Sequence, residues 1–342
     1  MIEGIVRINE IRTMNRIKLQ VGKTWWLSLL MIWLGMLKGF GHDLKEIENF
    51  GSNPGNLKMY YYRPAHLDTT KPIPMVIVLH GCLQNAETVA EVSGWNKMAD
   101  LHGFCILYPQ QKYTNNYSGC FDWFKRKDVS KGRGEVASIK EMLDYMVSYK
   151  GVDTKQVFVS GLSAGAAMAV ALMACYPDRI QAGAIFAGAP YKVAKSAFQA
   201  MFVMWIPPNK SPKRWAKRVM QQNPGYTGPY PRLIAVHGRL DYAVNFHHSW
   251  ELVQQWSFLH HTDPKPDKVE DAFAQVKDVC RLGFNNSQGQ EVMVFYKIKN
   301  LSHALAIDPG NLPNQGGKAA AFSVDKNFHS TYWVAKDFGL VE

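Results

Sequence analysis

A serine between two glycines is the pattern in this sequence that points most directly to chemistry. Gly161, Ser163 and Gly165 fit G-x-S-x-G and lie between a β-branched run and a helix-like run of small residues. In that context the serine occupies a sharp strand-to-helix turn that exposes its hydroxyl. Side chains at the two glycine positions would clash with the neighbouring strand and helix. The pattern therefore predicts that Ser163 is the nucleophile of an acyl-transfer reaction.

A serine hydroxyl is a weak nucleophile unless a base accepts its proton, so an acid and a histidine must follow. The expected chain order is serine, acid, histidine. Asp241, in HGRLDYAVN, and His303, in NLSHALAIDPG, satisfy this order, and each comes just after a predicted strand. Asp241 would then fix the tautomer of His303 and stabilise its charged form.

Other acids and histidines remain open as alternatives. Asp263 and Asp267, on a proline-rich loop, are weaker candidates for the acid. Three histidines are less suitable as the base, because two precede the acid in the chain and one is far beyond it: His80, His237 and His329. Two pairs border a predicted helix and are expected to be solvated: His247–His248 and His260–His261.

A tetrahedral intermediate needs two backbone N–H donors for its oxyanion. One donor is expected from Ala164, which follows the nucleophile, and the other from the loop after the first buried strand. In that loop Cys82 is the first candidate and Leu83 the second, and Gly81 permits a close approach of the chain. These proton transfers and N–H donors need no metal and no organic cofactor, so none is expected.

Strand-like and helical segments alternate along the chain. Short apolar runs predict strands at 57–65, 75–79, 104–109, 156–161, 182–188, 232–238 and 291–299. Helical spacing predicts helices at 86–101, 135–149, 164–176, 249–259 and 325–338. This alternation predicts an α/β protein of the α/β-hydrolase fold, with a mostly parallel central sheet and helices on both faces.

Residues 1–41 are predicted to be a signal peptide. Basic residues precede an apolar run over 25–37, whose thirteen residues are fewer than the about 20 that a membrane-spanning helix needs. An uncleaved membrane anchor is the competing interpretation, and Met14 is an alternative start. Residues 42–342 would then form a single catalytic domain, with a basic, proline-punctuated insertion or lid around 191–230.

Composition narrows the possible partners and the compartment. The 342 residues are 47% hydrophobic and carry a net charge of +11, which suits a globular, basic protein rather than a disordered one. The basic residues are spread out without interleaved aromatic side chains, so no nucleic-acid partner is expected. A secreted or periplasmic protein without a stable membrane partner is expected after signal cleavage. The five cysteines permit disulfides there, and their odd number leaves at least one outside an intramolecular pair.

Six segments resemble, in order, the motifs of the esterase, poly(3-hydroxybutyrate) depolymerase family. They are LHGCLQN, CFDWF, GRGEVASI, GLSAGAAMA, HGRLDYAVN and LSHALAIDPG, within about 57–338. The resemblance implies that Ser163, Asp241 and His303 form a catalytic triad and that Cys82 lies at the oxyanion site.

The resemblance also implies a disulfide and two substrate contacts. The family pairs the cysteine after His-Gly with the one before Asp-Trp-Phe, which implies a Cys82–Cys120 disulfide. It usually has Ala-Trp and then Ser-Gly-Gly after the catalytic histidine, whereas here Ala304 is followed by Leu305. Trp123 and Leu305 are the expected substrate-binding residues, and the missing aromatic bears on how a polymer is held.

The expected function is that of a secreted serine carboxylesterase that hydrolyses 3-hydroxyalkanoate polyesters or oligomers through an acyl-enzyme on Ser163. An esterase acting on feruloyl, acetylxylan or other small esters is the alternative. A non-catalytic binding protein on a hydrolase scaffold is an alternative of a different class. The sequence does not specify the ester or the oligomeric state.

Overall fold

The strand Ile73–Leu79 shows how the sheet comes to be buried on both faces. In the computed structural model, which describes residues 44–68 and 70–341, its side chains alternate between two hydrophobic clusters. Ile77 and Leu79 pack into one cluster, and Val76 and Val78 into the other. A strand covered on both faces needs apolar residues at every position, which explains its continuous apolar sequence.

Ten strands form the main sheet. They are Lys45–Ile47 (β1), Lys58–Tyr62 (β2), Ile73–Leu79 (β3), Cys105–Gln110 (β4), Val152–Leu162 (β5), Ala182–Phe186 (β6), Arg232–Gly238 (β7), Lys268–Glu270 (β8), Val279–Asn285 (β9) and Glu291–Ile298 (β10). Their order in space is β1-β2-β4-β3-β5-β6-β7-β10-β9-β8. The six strands from β4 to β10 in this order run parallel, and an antiparallel pair lies at each edge. Two short strands, Leu305–Ile307 (β11) and Ser323–Asp325 (β12), pair separately in parallel.

Helices cover the sheet on both sides. The helices of the described residues are Ala86–Ser93 (α1), Trp95–His102 (α2), Gly134–Lys150 (α3), Ala164–Cys175 (α4), Ala197–Trp205 (α5), Pro212–Met220 (α6), His247–Leu259 (α7) and Ser330–Phe338 (α8). The first hydrophobic cluster includes buried residues of α3, α4 and α7, and the second includes those of α1, α2 and α8. The predicted α/β class, with a mostly parallel sheet and helices on both faces, is confirmed.

Three local predictions were wrong. The helix expected over 86–101 is two helices, because Gly94 adopts φ +76° and ends α1. The last helix begins at Ser330 rather than at 325, since β12 occupies the start of that segment. The antiparallel strands β9 and β8, at one edge of the sheet, were not predicted.

The predicted signal peptide lies outside the described residues. Within them, no helix is both long enough and apolar enough to cross a membrane. The segment around 191–230, expected to be an insertion or lid, contains α5 and α6 and lies between β6 and β7.

Candidate active site

Ser163 lies in a tight turn between β5 and α4. Its backbone has φ +56° and ψ −117°, a conformation that residues other than glycine rarely adopt. A Cβ atom at Gly161 would collide with the carbonyl oxygen of Gly165, and one at Gly165 would collide with that of Leu79. The two glycines are therefore required for this turn, as the steric argument predicted. The turn sets Ser163 at the carboxyl end of a central parallel strand, where α/β sheets hold their functional groups.

His303 and Asp241 are brought together from loops that follow β10 and β7. His303 Nδ1 lies 2.7 Å from Asp241 Oδ2. An ionised carboxylate can only accept, so the proton is on Nδ1, and Nε2 is left as the basic nitrogen of His303. Such an imidazole is oriented to accept a proton from a neighbouring hydroxyl.

Asp241 is buried and accepts four hydrogen bonds. Oδ2 also lies 3.0 Å from His237 Nε2, while Oδ1 accepts from the backbone N–H groups of Ala243 and Val244 at 2.9 and 2.8 Å. Burial by itself would raise the pKa of Asp241, but the hydrogen bonds with His237 and His303 outweigh it and hold that pKa well below its usual range. Asp241 is therefore ionised at neutral pH.

Ser163 and His303 line the same cavity, which has a volume of about 560 Å³. Among the described residues, the Ser163 hydroxyl makes no hydrogen bond to His303. Serine hydroxyls turn readily about χ1, and such contacts often tighten only when substrate is bound. The structure thus places Ser163 and His303 in the lining of one cavity.

The loop after β3 carries both candidate oxyanion donors, Cys82 and Leu83. The Leu83 N–H, the second candidate donor, donates to Ser118 O at 2.8 Å, so it is already committed within the protein. Cys82 lines the cavity beside Ser163 and Ala164 lines the adjoining one. The geometry therefore favours Cys82 over Leu83, together with Ala164 at the start of α4.

A disulfide and a buried histidine hold this loop in place. Cys82 and Cys120 form a disulfide, so that pairing, which the family resemblance implied, is confirmed. His80 Nε2 accepts from the Gln111 N–H at 3.1 Å, and its Nδ1 lies 2.8 Å from Gly81 O. Burial lowers the pKa of His80 to about 4, which keeps it neutral at pH 7. His80 is thus a buried anchor of the loop, with both ring nitrogens engaged, rather than a free base.

Three buried carboxylates lie beneath the neighbouring loop that carries Cys120 and Trp123. Oxygen atoms of Asp122, Asp128 and Glu135 lie within 4.8 Å of one another. Burial, followed by the charges of the two aspartates, raises the pKa of Glu135 to about 8. Lys125 neutralises part of this charge through a 2.8 Å ion pair with Asp122. Glu135 Oε2 accepts from the Asp122 N–H at 2.8 Å, so the cluster ties the start of α3 to the loop.

A second, smaller pocket opens on the other side of Ser163. Its volume is about 40 Å³, and its wall is mostly apolar. Its lining residues are Cys82, Trp123, Ser163, Ala164, Ala167, Ala187, Gly188, Ala189, Val203, Met204, Val244 and His248. Of the two expected substrate contacts, Trp123 therefore lies at the site.

Leu305 does not lie at the site, and its expected contact with substrate needs correction. Its side chain is 4% exposed and packs in the second hydrophobic cluster, so it lines neither cavity. Its N–H donates to Phe322 O at 2.9 Å. Phe322 instead lines the cavity, with its ring edge-on to His303 at 6.2 Å between centroids. An aromatic ring thus lies beside His303, but it comes from a segment that sequence spacing did not connect to the site.

The alternative acids and bases lie elsewhere. Asp263 and Asp267 accept backbone N–H groups in loops and line neither cavity. His329 is buried, with its Nε2 3.2 Å from Ser93 O. His237 is 1% exposed and lies beneath Asp241, with its Nδ1 2.8 Å from Ser249 Oγ. Only His303 among these histidines reaches the cavity with Ser163.

The prediction that both histidine pairs are solvated was wrong for His248. His247 is exposed, but His248 is completely buried and lines the smaller pocket. His260, in the other pair, is half-buried, with its Nε2 3.1 Å from Pro231 O. His248 shares a face of α7 with the buried Leu252, four residues on, so helical periodicity would have indicated its burial.

The insertion is tied to the acid-bearing loop through the last carbonyl groups of α5. His248 Nε2 lies 2.6 Å from Val203 O, the Asn245 N–H donates to Met204 O at 2.8 Å, and Asn245 Nδ2 donates to Trp205 O at 3.0 Å. These bonds satisfy carbonyls that a helix end leaves without intrahelical partners. The contacts fix Met204 and Trp205 at the mouth of the larger cavity.

Comparisons with known proteins identify the family to which this chain is similar. Residues 57–262 match the family described as Esterase PHB depolymerase. The chain is 37% identical over 300 residues to poly(3-hydroxyalkanoate) depolymerase C of Paucimonas lemoignei, covering 88% of this chain and 71% of that protein. It is 33% identical to feruloyl esterase B of Talaromyces stipitatus, covering 68% of this chain and 65% of that protein.

A solved structure supports the fold alone. The acetyl xylan esterase from Aspergillus awamori superimposes with a TM-score of 0.69 at 24% identity, over 76% of this chain and 94% of that one.

Proposed function

This chain belongs to the esterase PHB depolymerase family and is a carboxylic ester hydrolase, and from that premise we propose that it is an exported serine esterase acting on 3-hydroxyalkanoate polyesters or oligomers. The observation that carries the proposal is the 2.7 Å contact between His303 and Asp241 in a cavity that Ser163 also lines. The named depolymerase among its relatives supports the choice of substrate class.

In the proposed mechanism, the Ser163 hydroxyl turns towards His303 Nε2 and attacks the ester carbonyl as Nε2 accepts its proton. Asp241 stabilises the imidazolium that forms, because its carboxylate remains ionised beside Nδ1. The tetrahedral oxyanion is bound by the N–H groups of Cys82 and Ala164. His303 then protonates the departing alcohol, and a water molecule activated by His303 hydrolyses the acyl group from Ser163.

The two cavities suggest how an ester is divided between acyl and alcohol sides. They meet at Ser163 and share Cys82, Met204 and Val244 as wall residues. The smaller, mostly apolar pocket suits a short acyl chain, and the larger cavity suits the alcohol portion, which in a polyester is the rest of the polymer. A rigid, planar feruloyl group fits the smaller pocket less well, so short acyl esters such as acetyl esters are the second candidate.

The surface around the larger cavity supports an apolar polymeric substrate. Large apolar side chains at its mouth are exposed to solvent, including Leu83, Trp205 and Tyr242. Exposed apolar patches of this kind mark binding surfaces, since burying them releases ordered water. The Cys82–Cys120 disulfide supports export, because disulfides persist in oxidising compartments.

A matched substrate panel tests the proposal. It contains 3-hydroxybutyrate oligomers, solid poly(3-hydroxybutyrate), acetyl esters and feruloyl esters, each assayed with the mature protein and with Ser163→Ala. We expect fast hydrolysis of the oligomers, slower hydrolysis of acetyl esters, and no turnover by the variant. Rapid feruloyl hydrolysis without activity on the oligomers would overturn the proposed substrate. Equal activity of Ser163→Ala and the unmodified protein would overturn the mechanism.

A further inference from the structure

A third cavity lies beside the loops that carry Asp241 and His303. Its volume is about 550 Å³, close to that of the larger cavity that Ser163 lines. Its lining residues follow β7, end β10 or begin β9, with one more from the segment before β9: Arg239, Leu240, Asp271, Lys277, Asp278, Val279, Cys280, Lys297, Lys299 and Asn300. None of them lines the two cavities at Ser163, and the proposed mechanism uses none of them.

The third cavity and the larger cavity share two loops. In the loop after β7, Leu240 lines the third cavity and Tyr242 the larger one, and in the loop after β10 Asn300 and His303 are divided in the same way. Because consecutive Cα atoms are about 3.8 Å apart, at most about 8 Å separates the Cα atoms of the first pair and about 11 Å those of the second. Two units of a 3-hydroxybutyrate chain, with four backbone bonds each, span about 10 Å. A short oligomer in the larger cavity is therefore long enough to reach the third one.

The wall of the third cavity carries an excess of positive charge. It includes four cationic side chains and two acidic ones. Asp278 already accepts a hydrogen bond from Asn300 Nδ2 at 2.7 Å. The Lys299 N–H donates to Asp278 O at 2.8 Å, which places position 299 beside position 277. Lys277 and Lys299 are exposed, and among the described residues neither ammonium group has a hydrogen-bond or ion-pair partner. Two such neighbouring ammonium groups in a concave surface favour an anionic ligand.

A 3-hydroxyalkanoate oligomer carries its negative charge at one end only. Each of its esters joins an acyl portion, which contains the hydroxyl end, to an alcohol portion, which contains the carboxylate end. Since the smaller pocket at Ser163 suits a short acyl chain, the alcohol portion and its carboxylate extend through the larger cavity. We propose that the third cavity is a subsite for this terminal carboxylate, which the ammonium groups of Lys277 and Lys299 bind. This inference rests on the proposed function and names the form of substrate preferred, an oligomer with a free carboxylate end.

Trimers of 3-hydroxybutyrate that end in a carboxylate or in a primary amide test the inference. The amide removes the charge without adding another ester. Chromatography of the products gives kcat/KM for each trimer, and the measured quantity is the ratio of the acid to the amide. We expect a ratio of about five in dilute buffer, the scale of one partly exposed ion pair. The corresponding dimers should give a ratio of about one, because their carboxylate lies only one unit from the scissile ester.

Lys277→Gln together with Lys299→Gln is the decisive variant. It should bring the trimer ratio to about one, and a ratio measured within one protein does not depend on its overall activity. Lys71→Gln together with Lys155→Gln is the matched control. It removes the same charge from two exposed lysines near the amino ends of β3 and β5, at the opposite edge of the sheet, and should keep the ratio near five. An equal loss in the control would assign the preference to the net positive charge of the protein and overturn the subsite.

Binding to Ser163→Ala, measured by calorimetry, tests the subsite without turnover. The trimer acid should bind about fivefold more tightly than the amide, and the difference should vanish when Lys277→Gln and Lys299→Gln are added. Equal kcat/KM for the two trimers in the unmodified protein, or an unchanged ratio in the double lysine variant, would overturn the inference and leave the esterase intact. Hydrolysis of neither trimer would overturn the proposed function, and the inference with it.

Discussion

The catalytic edge of the sheet and the insertion over 191–230 meet at the same cavity but are built in opposite ways. At the catalytic edge, Asp241 accepts four hydrogen bonds, the His80 ring has both nitrogens engaged, and a disulfide joins Cys82 to Cys120. The insertion instead exposes the apolar face of α5. It contains seven Lys and Arg residues and no Asp or Glu.

This difference indicates a division of labour. Acyl transfer needs donors and acceptors held within a fraction of an ångström, which the hydrogen bonds and the disulfide of this edge provide. Choice of substrate needs surface that can meet a large apolar ligand, which Phe198, Trp205 and Ile206 provide at 71%, 59% and 74% exposure. Changes at the edge should therefore abolish turnover of every ester, whereas changes in the insertion should alter only which esters are turned over.

The largest effect is expected from Asp241→Asn. An amide at this position favours the wrong tautomer of His303, and kcat for a soluble nitrophenyl ester should fall about 10⁴-fold. Asp263→Asn, which changes an exposed acid in a turn, serves as the control and should leave kcat within about twofold. Full activity in both variants would contradict a catalytic role for Asp241.

The next largest effect is expected from loss of the Cys82–Cys120 disulfide. Cys120→Ser opens a link across 38 residues, and chain-entropy arguments give a cost of about 3 to 4 kcal/mol in the free energy of unfolding. Urea denaturation measures this cost. Cys280→Ser, at a free and partly exposed cysteine, should change the unfolding free energy by less than about 0.5 kcal/mol. Equal stability of the two variants would show that the oxyanion loop does not depend on its covalent link.

A smaller effect, a gain rather than a loss in stability, is expected from a substitution in the cluster of Asp122, Asp128 and Glu135. Because the pKa of Glu135 is raised to about 8 in the folded protein, its contribution to stability is present below its unfolded pKa and is lost as the pH rises to about 8. Asp128 Oδ2 has no hydrogen-bond partner among the described residues. Asp128→Asn removes one negative charge and offers an amide donor, so it should stabilise the fold by about 1 kcal/mol at pH 8.5.

Thermal unfolding at several pH values checks this prediction. The gain from Asp128→Asn should shrink towards pH 5, where Glu135 is protonated in the unmodified protein. A variant that is less stable than the unmodified protein at pH 8.5 would show that the three carboxylates are not in electrostatic conflict.

The smallest effect on the hydrolysis of soluble esters is expected from substitutions in the insertion. Phe198→Ser together with Ile206→Ser should leave kcat/KM for a nitrophenyl ester within about twofold, because neither side chain lines a cavity. Release of soluble products from polyester film should fall several-fold as adsorption weakens. Tyr149→Ser, at a 72% exposed aromatic residue on α3, is the matched surface control and should affect neither assay. Equal loss on film and soluble ester would contradict the division between the two regions.

Much of the catalytic edge was predictable from sequence because its signals are local. β3, β7, β10 and the second half of β5 are short apolar runs, and the chemistry-bearing residue or loop follows each strand directly. Parallel strands bring their carboxyl ends to one edge of the sheet. Asp241 and His303 each follow such a strand, so the sequence predicted that they would meet. The glycine pair predicted the turn at Ser163 for steric reasons.

The remaining contacts depend on packing between distant segments. Phe322 reaches the site because β12 pairs with β11, and nothing in the local pattern indicates that two such short strands will pair. Leu305 was expected to contact substrate from its position after His303, but strand pairing turns it into the core. His248 was expected to be solvated, and its burial depends on where α5 docks. Contacts of this kind are set by tertiary packing rather than by spacing.

Identification of the residue that forms a covalent adduct tests the central claim most directly. The mature protein is incubated with a fluorophosphonate probe, digested, and analysed by tandem mass spectrometry. We predict one adduct, on Ser163, at a rate that falls with His303→Ala and is zero in Ser163→Ala. An adduct on another residue, or labelling that persists in Ser163→Ala, would contradict the assignment of this serine as the nucleophile.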